Sequence, residues 1–150
     1  MSVFIDTNII LYAIGKSSDL KKTCLWVLKE VSKGNLDATT DTEVVQEVLH
    51  VLIRRNEKKA AILVSRNVLG LFPGIIGVNL KEMETACDLL GRNAILNARD
   101  AVHLACMISG GIHTIISADK HFDDIEGTVR IKPQDEDAIR RLLRTSSDSA

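Results

Sequence analysis

Aromatic residues are scarce in this 150-residue chain, which has one Trp, one Tyr and three Phe. Stacking of nucleic-acid bases on aromatic side chains is therefore not expected as a main mode of binding, because the stacking surfaces are largely missing. The hydrophobic residues make up 45% of the chain and are almost all aliphatic. Aliphatic residues favour buried parallel strands and the inner faces of helices.

A strong charge of either sign is also lacking, because the formal net charge is −1. No overall basic field attracts nucleic acid, so such a partner needs a local basic patch. The three cysteines are scattered and form no Cys-x-x-Cys pair, which favours reduced thiols over disulfides or a zinc site. No apolar run approaches the roughly 20 residues of a membrane span, and no basic signal-peptide segment is present. We therefore expect a cytoplasmic protein without membrane contact.

Strand and helix patterns alternate along the chain. Strands are predicted at residues 2–6, 38–40, 75–80, 113–118 and 129–131. Helices are predicted at residues 7–13, 19–33, 41–55, 57–71, 81–91, 97–110 and 134–144. This alternation predicts a three-layer α/β/α fold with a central, mainly parallel, twisted sheet. We assign residues 1–144 to one domain and expect the polar tail 145–150 to be disordered.

Two acids stand where strands are predicted to end. Asp6 follows the first strand, and Asp119 follows the strand at 113–118. In an open α/β sheet, ligands bind in the crevice beyond the carboxyl ends of the strands. The alternative for Asp6 is a turn or helix cap, but Thr7 is the expected cap of the next helix. That assignment leaves Asp6 free to face the crevice.

Two further acids interrupt apolar helix faces. Glu47 shares a row with two valines, and a charge on a buried face is costly unless it is paired or binds metal. Asp100 lies in the first turn of a helix among small and apolar residues. A solvated face and the helix dipole are the alternative explanations for Glu47 and Asp100, respectively. Glu43 is better explained by a capping box that begins at Thr40.

Carboxylates alone select Mg²⁺ or Mn²⁺ over zinc and copper. Asp123 or Asp124 is a candidate for one further ligand. His103 and His121 lack the spacing of a zinc site, so we interpret them as hydrogen-bonded or exposed residues. A hard cation in an open acidic site activates water and stabilises the leaving oxygen of a phosphate ester.

Four segments, in order along the chain, resemble motifs of the PIN-domain ribonucleases and are most similar to the short toxins of VapC type. The segments are residues 4–12, 46–49, 99–105 and 116–123. The resemblance implies an endoribonuclease that depends on Mg²⁺ or Mn²⁺. It also implies an RNA substrate, a homodimer and a small antitoxin protein as partner.

The resemblance further implies roles for individual residues. The acids that hold the metal and carry the reaction would be Asp6, Glu47, Asp100 and Asp119, with Asp123 as an outer or second-metal contributor. The short polar side chains that orient carboxylates or water would be Thr7, Asn8 and Ser117.

Basic residues are expected to track RNA phosphates. They are Arg54, Arg55, Lys58, Lys59, Arg99 and Lys120, and the alternative for each is a solvated surface charge.

Two other functions remain as alternatives. A haloacid-dehalogenase-like phosphatase also places an acid after its first strand, but it needs a second Asp two positions later. Asn8 occupies that position and cannot transfer the proton. The other alternative is a PIN-like nucleic-acid-binding module without activity. Loss of one of the four acids would favour it, but all four are present.

Overall fold

The computed structural model describes residues 2–144, and the tail that was predicted to be disordered lies outside the described residues. Its sheet has the strands β1 (Val3–Ile5), β2 (Ala38–Thr39), β3 (Thr114–Ile116) and β4 (Val129–Ile131). They lie in the order β2-β1-β3-β4, and every neighbouring pair is parallel. The predicted α/β architecture with a mainly parallel sheet is therefore confirmed.

Helices flank this sheet. They are α1 (Thr7–Ile14), α2 (Asp19–Ser32), α3 (Thr42–Arg54), α4 (Lys58–Leu71), α5 (Leu80–Arg92), α6 (Ala98–Ser109) and α7 (Glu136–Leu142), with a 3₁₀ helix at Lys120–Asp124. The helices pack in sequential pairs, α1 with α2, α3 with α4 and α5 with α6. Within residues 2–144, no helix is both long enough and apolar enough to cross a membrane.

The core joins the sheet to α6. All three residues of β1 are buried, and α6 is buried without interruption from Asp100 to Met107. A helix that is buried all round cannot leave its polar residues to solvent, so Asp100 and His103 must find partners inside the protein. These two residues therefore point to the functional part of the molecule.

The register of β1 and β3 brings the segments that follow them together at the carboxyl ends of the strands. Ile5 pairs with Ile116, so both strands end at the same level. The backbone N–H of Asp6 donates to the carbonyl of Ile116 at 3.2 Å. The residues that follow the two strands, Asp6 and Ser117, are consequently neighbours.

Two helix caps differ from the sequence-based prediction. Asp6 caps α1, because its carboxylate accepts from the N–H of Thr7 at 2.8 Å. Asp41, and not Thr40, caps α3 by accepting from the N–H of Val44 at 2.8 Å. The reason is the extended chain after β2, which sends the Thr40 hydroxyl to the Ile5 carbonyl instead. The capping-box explanation for Glu43 is therefore wrong.

The predicted strand at 75–80 is reduced to a single parallel bridge between Ile76 and Asp41. Ile76 exchanges backbone hydrogen bonds with Thr40 and Thr42, at 2.9 and 3.0 Å. The pairing ends there, because α5 begins at Leu80 and leaves too little extended chain. The bridge nevertheless holds the chain just before α3 beside the sheet.

Candidate active site

The four acids predicted from strand ends and helix faces line one cleft. Asp6 follows β1, Asp119 follows β3, Asp100 lies in the first turn of α6, and Glu47 lies in the middle of α3. The cleft has a volume of about 290 Å³. Its lining also includes Thr7, Asn8, Leu11, Val51, Asn97, Arg99 and His103. The fold therefore gathers residues that lie more than one hundred positions apart in the sequence.

Asp6 is held in one orientation by hydrogen bonds to both carboxylate oxygens. Its Oδ2 accepts from the Ser117 hydroxyl at 2.6 Å and from the Asn8 amide at 3.1 Å. Its Oδ1 accepts from the N–H of Thr7. Burial raises the pKa of Asp6, and nearby His103 together with these hydrogen bonds opposes the rise. The carboxylate is thus fixed before any ligand arrives.

The predicted supporting residues connect the two strand ends. The Ser117 hydroxyl accepts from the Asn8 amide at 3.2 Å and from the N–H of Asp119 at 3.0 Å. Asn8 Oδ1 accepts from the N–H of Ala118 at 3.1 Å. Thr7 differs, since its backbone contacts Asp6 while its buried hydroxyl has no hydrogen-bond partner within residues 2–144. Asn8 and Ser117 therefore orient the carboxylates through side chains, and Thr7 does so through its backbone.

One carboxylate oxygen of Asp100 makes no hydrogen bond within residues 2–144. Asn97 caps α6 and accepts from the N–H of Asp100 at 2.8 Å, which sets the carboxylate inside the first turn. Its Oδ2 is buried and, in the described part of the chain, has no hydrogen-bond partner. Burial, then Asp119 and Asp6, raise the pKa of Asp100 to about 6. A ring nitrogen of His121 lies 3.8 Å from this oxygen, too far for a hydrogen bond.

One group of side chains at the cleft mouth could hold a cation. Ligand atoms of Asp100, Asp119 and His121 lie within 4.8 Å of one another. Two carboxylates and an optional imidazole suit Mg²⁺ or Mn²⁺, and the free oxygen of Asp100 offers a ligand without displacing a protein contact. The donor set therefore fits a hard divalent cation.

Glu47 lines the cleft but is not a member of this group. Its Oε1 lies 2.8 Å from His103 Nε2, and the other ring nitrogen of His103 lies 2.7 Å from Asp41 Oδ2. Burial alone would lower the pKa of His103, but the hydrogen bonds to Asp41 and Glu47 outweigh it and raise that pKa well above its ordinary value. The ring of His103 accordingly bridges two carboxylates, and both contacts favour its protonated form.

The sequence-based reasoning missed Asp41 and the central place of His103. His103 was interpreted as hydrogen-bonded or exposed, and it is hydrogen-bonded, but within the acid group itself. One signal was present in the sequence, because His103 lies one helical turn after Asp100 in an apolar stretch. Asp41 gave no comparable signal, since its side chain meets His103 only through the fold.

Asp123 lies apart from the four acids. Both of its oxygens are bound by Arg130, at 2.7 Å from Nε and 2.9 Å from Nη2. This contact lowers the pKa of Asp123. Arg130 also donates to the Ser117 carbonyl at 3.0 Å. Asp123 thus anchors β4 beside the site, and neither it nor Asp124 lines the cleft.

The basic residues predicted to contact RNA divide into three groups. Arg99 lines the cleft, and Lys120 directly follows Asp119. Arg55 lines a depression that adjoins the cleft. The remaining residues, Arg54, Lys58 and Lys59, are exposed and do not line the cleft. Arg99, Lys120 and Arg55 are therefore the best placed.

Comparison with known proteins identifies the family. The model of the PIN domain matches residues 3–127. A VapC ribonuclease of Mycobacterium bovis is 30% identical over 129 residues, which cover 86% of this chain and 98% of that protein. Ribonuclease VapC7 of Mycobacterium tuberculosis is 30% identical over 135 residues, with coverage of 87% and 91%.

Solved structures show the same fold. VapBC2 from Rickettsia felis, bound to a promoter DNA fragment, matches with a TM-score of 0.68 at 20% identity over 88% of this chain and 98% of that one. Mycobacterium tuberculosis VapC20, a toxin that cleaves the sarcin-ricin loop, matches with a TM-score of 0.68 at 23% identity, over 81% and 92%. From the family model and the curated relatives together, the chain belongs to the PIN domain family and is of the VapC ribonuclease type.

Proposed function

We propose that this chain is an endoribonuclease that hydrolyses RNA phosphodiester bonds with Mg²⁺ or Mn²⁺ and serves as the toxin of a toxin–antitoxin pair. The observation that carries this proposal is the convergence of four acids on one cleft, where an oxygen of Asp100 is buried without a partner. The relatives, which are named as ribonucleases, support the reaction class.

Asp100 and Asp119 are proposed to hold the cation directly, because their ligand atoms lie within 4.8 Å of each other. Asp6, whose nearby charge contributes to the raised pKa of Asp100, is proposed as a third ligand. Glu47 is the fourth acid, and we place it outside the direct ligands because His103 already binds one of its oxygens. A divalent cation here supplies Lewis-acid activation of water and of the phosphate. We leave Asp123 out of the proposed ligand set, since Arg130 occupies both of its oxygens.

The residues of the chain itself prepare the site. Ser117 and Asn8 fix the carboxylate of Asp6, so little reordering is needed when the substrate arrives. His103 places a positive charge behind Glu47 and so limits repulsion among the acids. Arg99 lies at the cleft wall, where it can bind a phosphate oxygen. In this assignment the acids position metal and water, and Arg99 positions RNA.

An antitoxin and a second copy of the chain are the proposed partners. Solved structures with the same fold include a toxin–antitoxin complex from Klebsiella pneumoniae, with a TM-score of 0.63. Apolar side chains exposed on α4 offer contact area, since Leu63 is 62% exposed and Leu69 is 52% exposed. Co-expression with any small reading frame that adjoins the gene, followed by size-exclusion chromatography, tests both partners. A monomer that binds no such protein would contradict this part.

Cleavage of RNA by the purified chain is the direct test. The chain is unfolded, separated from any bound inhibitor, refolded, and incubated with structured RNA plus Mg²⁺ or Mn²⁺. We expect cleavage that stops on chelation and is lost in Asp6→Asn and Asp100→Asn. Asp88→Asn, an exposed acid on α5, is the matched control and should cleave normally.

Each other result has a defined meaning. Hydrolysis of a small phosphomonoester without RNA cleavage would favour the phosphatase alternative. Metal-dependent RNA binding without cleavage would favour the inactive binding module. Equal cleavage by the wild type and both site variants would overturn the assignment of the acids.

A further inference from the structure

A second depression, which we call the trough, adjoins the acidic cleft beside α1 and the C-terminal cap of α3. Its volume is about 350 Å³. The lining residues are Asn8, Leu11, Tyr12, Gly15, Lys16 and Arg55, of which Asn8 and Leu11 also line the acidic cleft. We propose that this trough binds the single-stranded RNA segment next to the scissile phosphate. The inference rests on the proposed ribonuclease function and adds Tyr12 and Lys16 to the RNA contacts.

Helical spacing explains why the trough is continuous with the acids. Glu47, Val51 and Arg55 follow one another at intervals of four along α3 and its C-terminal cap, so they share a face. Glu47 lies at the acidic end of this row and Arg55 at the other. Eight residues of helix separate them by about 12 Å. An extended strand with one phosphate at the acids therefore has its neighbouring nucleotides beside Arg55.

The far end of the trough has the charge that a polyanion requires. Lys16 and Arg55 are exposed, and no ion pair among residues 2–144 involves either of them. The chain has no overall positive charge to attract RNA, so local cations beside the acids must supply the attraction. Glu57 does not line the trough, although it lines a neighbouring depression together with Lys16 and Arg55.

The middle of the trough suits a base. Tyr12 is the only tyrosine of the chain and is 39% exposed. An exposed aromatic ring with an aliphatic neighbour, Leu11, offers a stacking surface that tolerates any base. A single ring between an acidic end and a basic end matches an extended strand of nucleotides. An acidic peptide would satisfy the cations but has no base to stack on the ring of Tyr12.

Binding of a fluorescently labelled single-stranded RNA oligonucleotide tests the trough without relying on cleavage. The measurements use Asp100→Asn as the parent, with Mg²⁺ present. Lys16→Ala and Arg55→Ala should each lower the slope of log affinity against log salt by about 0.7. Tyr12→Ala should weaken binding roughly tenfold, and Tyr12→Phe should restore it, because the ring is retained.

The matched control is Lys81→Ala, an exposed lysine on α5. It should bind RNA as the parent does, and thermal melts should show that all these variants are folded. In the cleaving chain, the trough substitutions should raise KM and change kcat less than about twofold, since they touch nucleotides beside the reacting group.

The outcomes separate the trough from the proposed function. If the wild type cleaves RNA but Lys16→Ala, Arg55→Ala and Tyr12→Ala all bind like the parent, the trough is not an RNA site and the ribonuclease function stands. If these substitutions weaken only the binding of the antitoxin, the surface is a protein interface and the proposal is wrong. If the wild type neither cleaves nor binds RNA, the proposed function and the trough as an RNA site are both wrong.

Discussion

Two groups of acidic and histidine side chains flank Asp6, and they differ in how their charge is balanced. In the inner group, His103 lies within 2.8 Å of both Asp41 and Glu47. In the outer group, His121 lies 3.1 Å from Asp119 but 3.8 Å from Asp100. The same residue types therefore form one group in which a histidine hydrogen-bonds both acids, and one in which Asp100 keeps an oxygen without a hydrogen bond among residues 2–144.

The inner group is also less exposed to solvent than the outer group. The side chain of Asp41 is 0% exposed, whereas that of Asp119 is 30% exposed. An inner carboxylate pair without His103 would be an uncompensated buried charge, which is strongly unfavourable. The outer pair is open to solvent on the side of Asp119, so a cation can reach it. The inner group therefore serves stability and the outer group serves binding. Without metal, removal of a charge should lower the free energy of unfolding in the inner group and raise it in the outer group.

The largest expected effect is loss of cleavage when the outer group is broken. Asp100→Asn removes a proposed ligand charge and keeps the shape of the side chain, so the fold should persist. We expect the rate of RNA cleavage to fall by about a thousandfold, equivalent to about 4 kcal/mol of transition-state stabilisation. Single-turnover cleavage with saturating Mn²⁺ measures it. A fall of less than tenfold would remove Asp100 from the proposed ligand set.

The next largest effect should come from breaking the inner group. His103→Ala leaves Asp41 buried beside Glu47 without a positive partner, and it should lower the free energy of unfolding by about 3–5 kcal/mol. Urea unfolding measures the change, with His50→Ala, an exposed histidine on α3, as control. Addition of Asp41→Asn to His103→Ala should restore part of the stability. A double variant less stable than His103→Ala would contradict a charge-based role.

A smaller effect concerns the outer group without metal. The folded-state pKa of Asp100, about 6, lies above the ordinary value of 3.8, so ionisation of this group destabilises the folded chain. The penalty is absent below pH 3.8 and complete above about pH 6. In chelator at pH 7.5, Asp100→Asn should therefore be more stable than the wild type by about 1–2 kcal/mol.

Urea unfolding at pH 7.5 and at pH 4.5 measures this difference, which should shrink at the lower pH. Mn²⁺ should then stabilise the wild type more than the variant, because it binds the folded wild-type site more tightly. An Asp100→Asn variant that is less stable than the wild type at both pH values would show that the charge of Asp100 is already compensated in the folded chain without metal.

Much of the fold was predictable because it follows from local patterns. Alternating apolar strands and amphipathic helices indicated a parallel sheet, and the ends of β1 and β3 indicated where Asp6 and Asp119 would meet. Those acids do line one cleft with Glu47 and Asp100, while their roles remain predictions.

The remainder depends on contacts between distant segments. Asp6 and Thr7 are both good capping residues, and the sheet register decides which of them caps α1. Asp41 and His103 are 62 positions apart, so no local pattern reveals their pairing. Arg130 reaches Asp123 from β4 for the same reason. Adjacent acids such as Asp123 and Asp124 are therefore the hardest residues to assign from a sequence.

Substitution of Asp123 should have the smallest effect on the cleavage rate, and it distinguishes a metal ligand from an acid that only binds Arg130. Asp123→Asn keeps an oxygen for Arg130 and removes a charge that faces away from the cleft. We expect the cleavage rate to stay within about fivefold of the wild type, because Asp123 does not line the cleft and Arg130 binds both of its oxygens. Asp119→Asn, four residues earlier, is the matched comparison and should lose at least about a hundredfold. Equal losses in the two variants under saturating Mn²⁺ would place Asp123 in the outer group and require Arg130 to release it when metal binds.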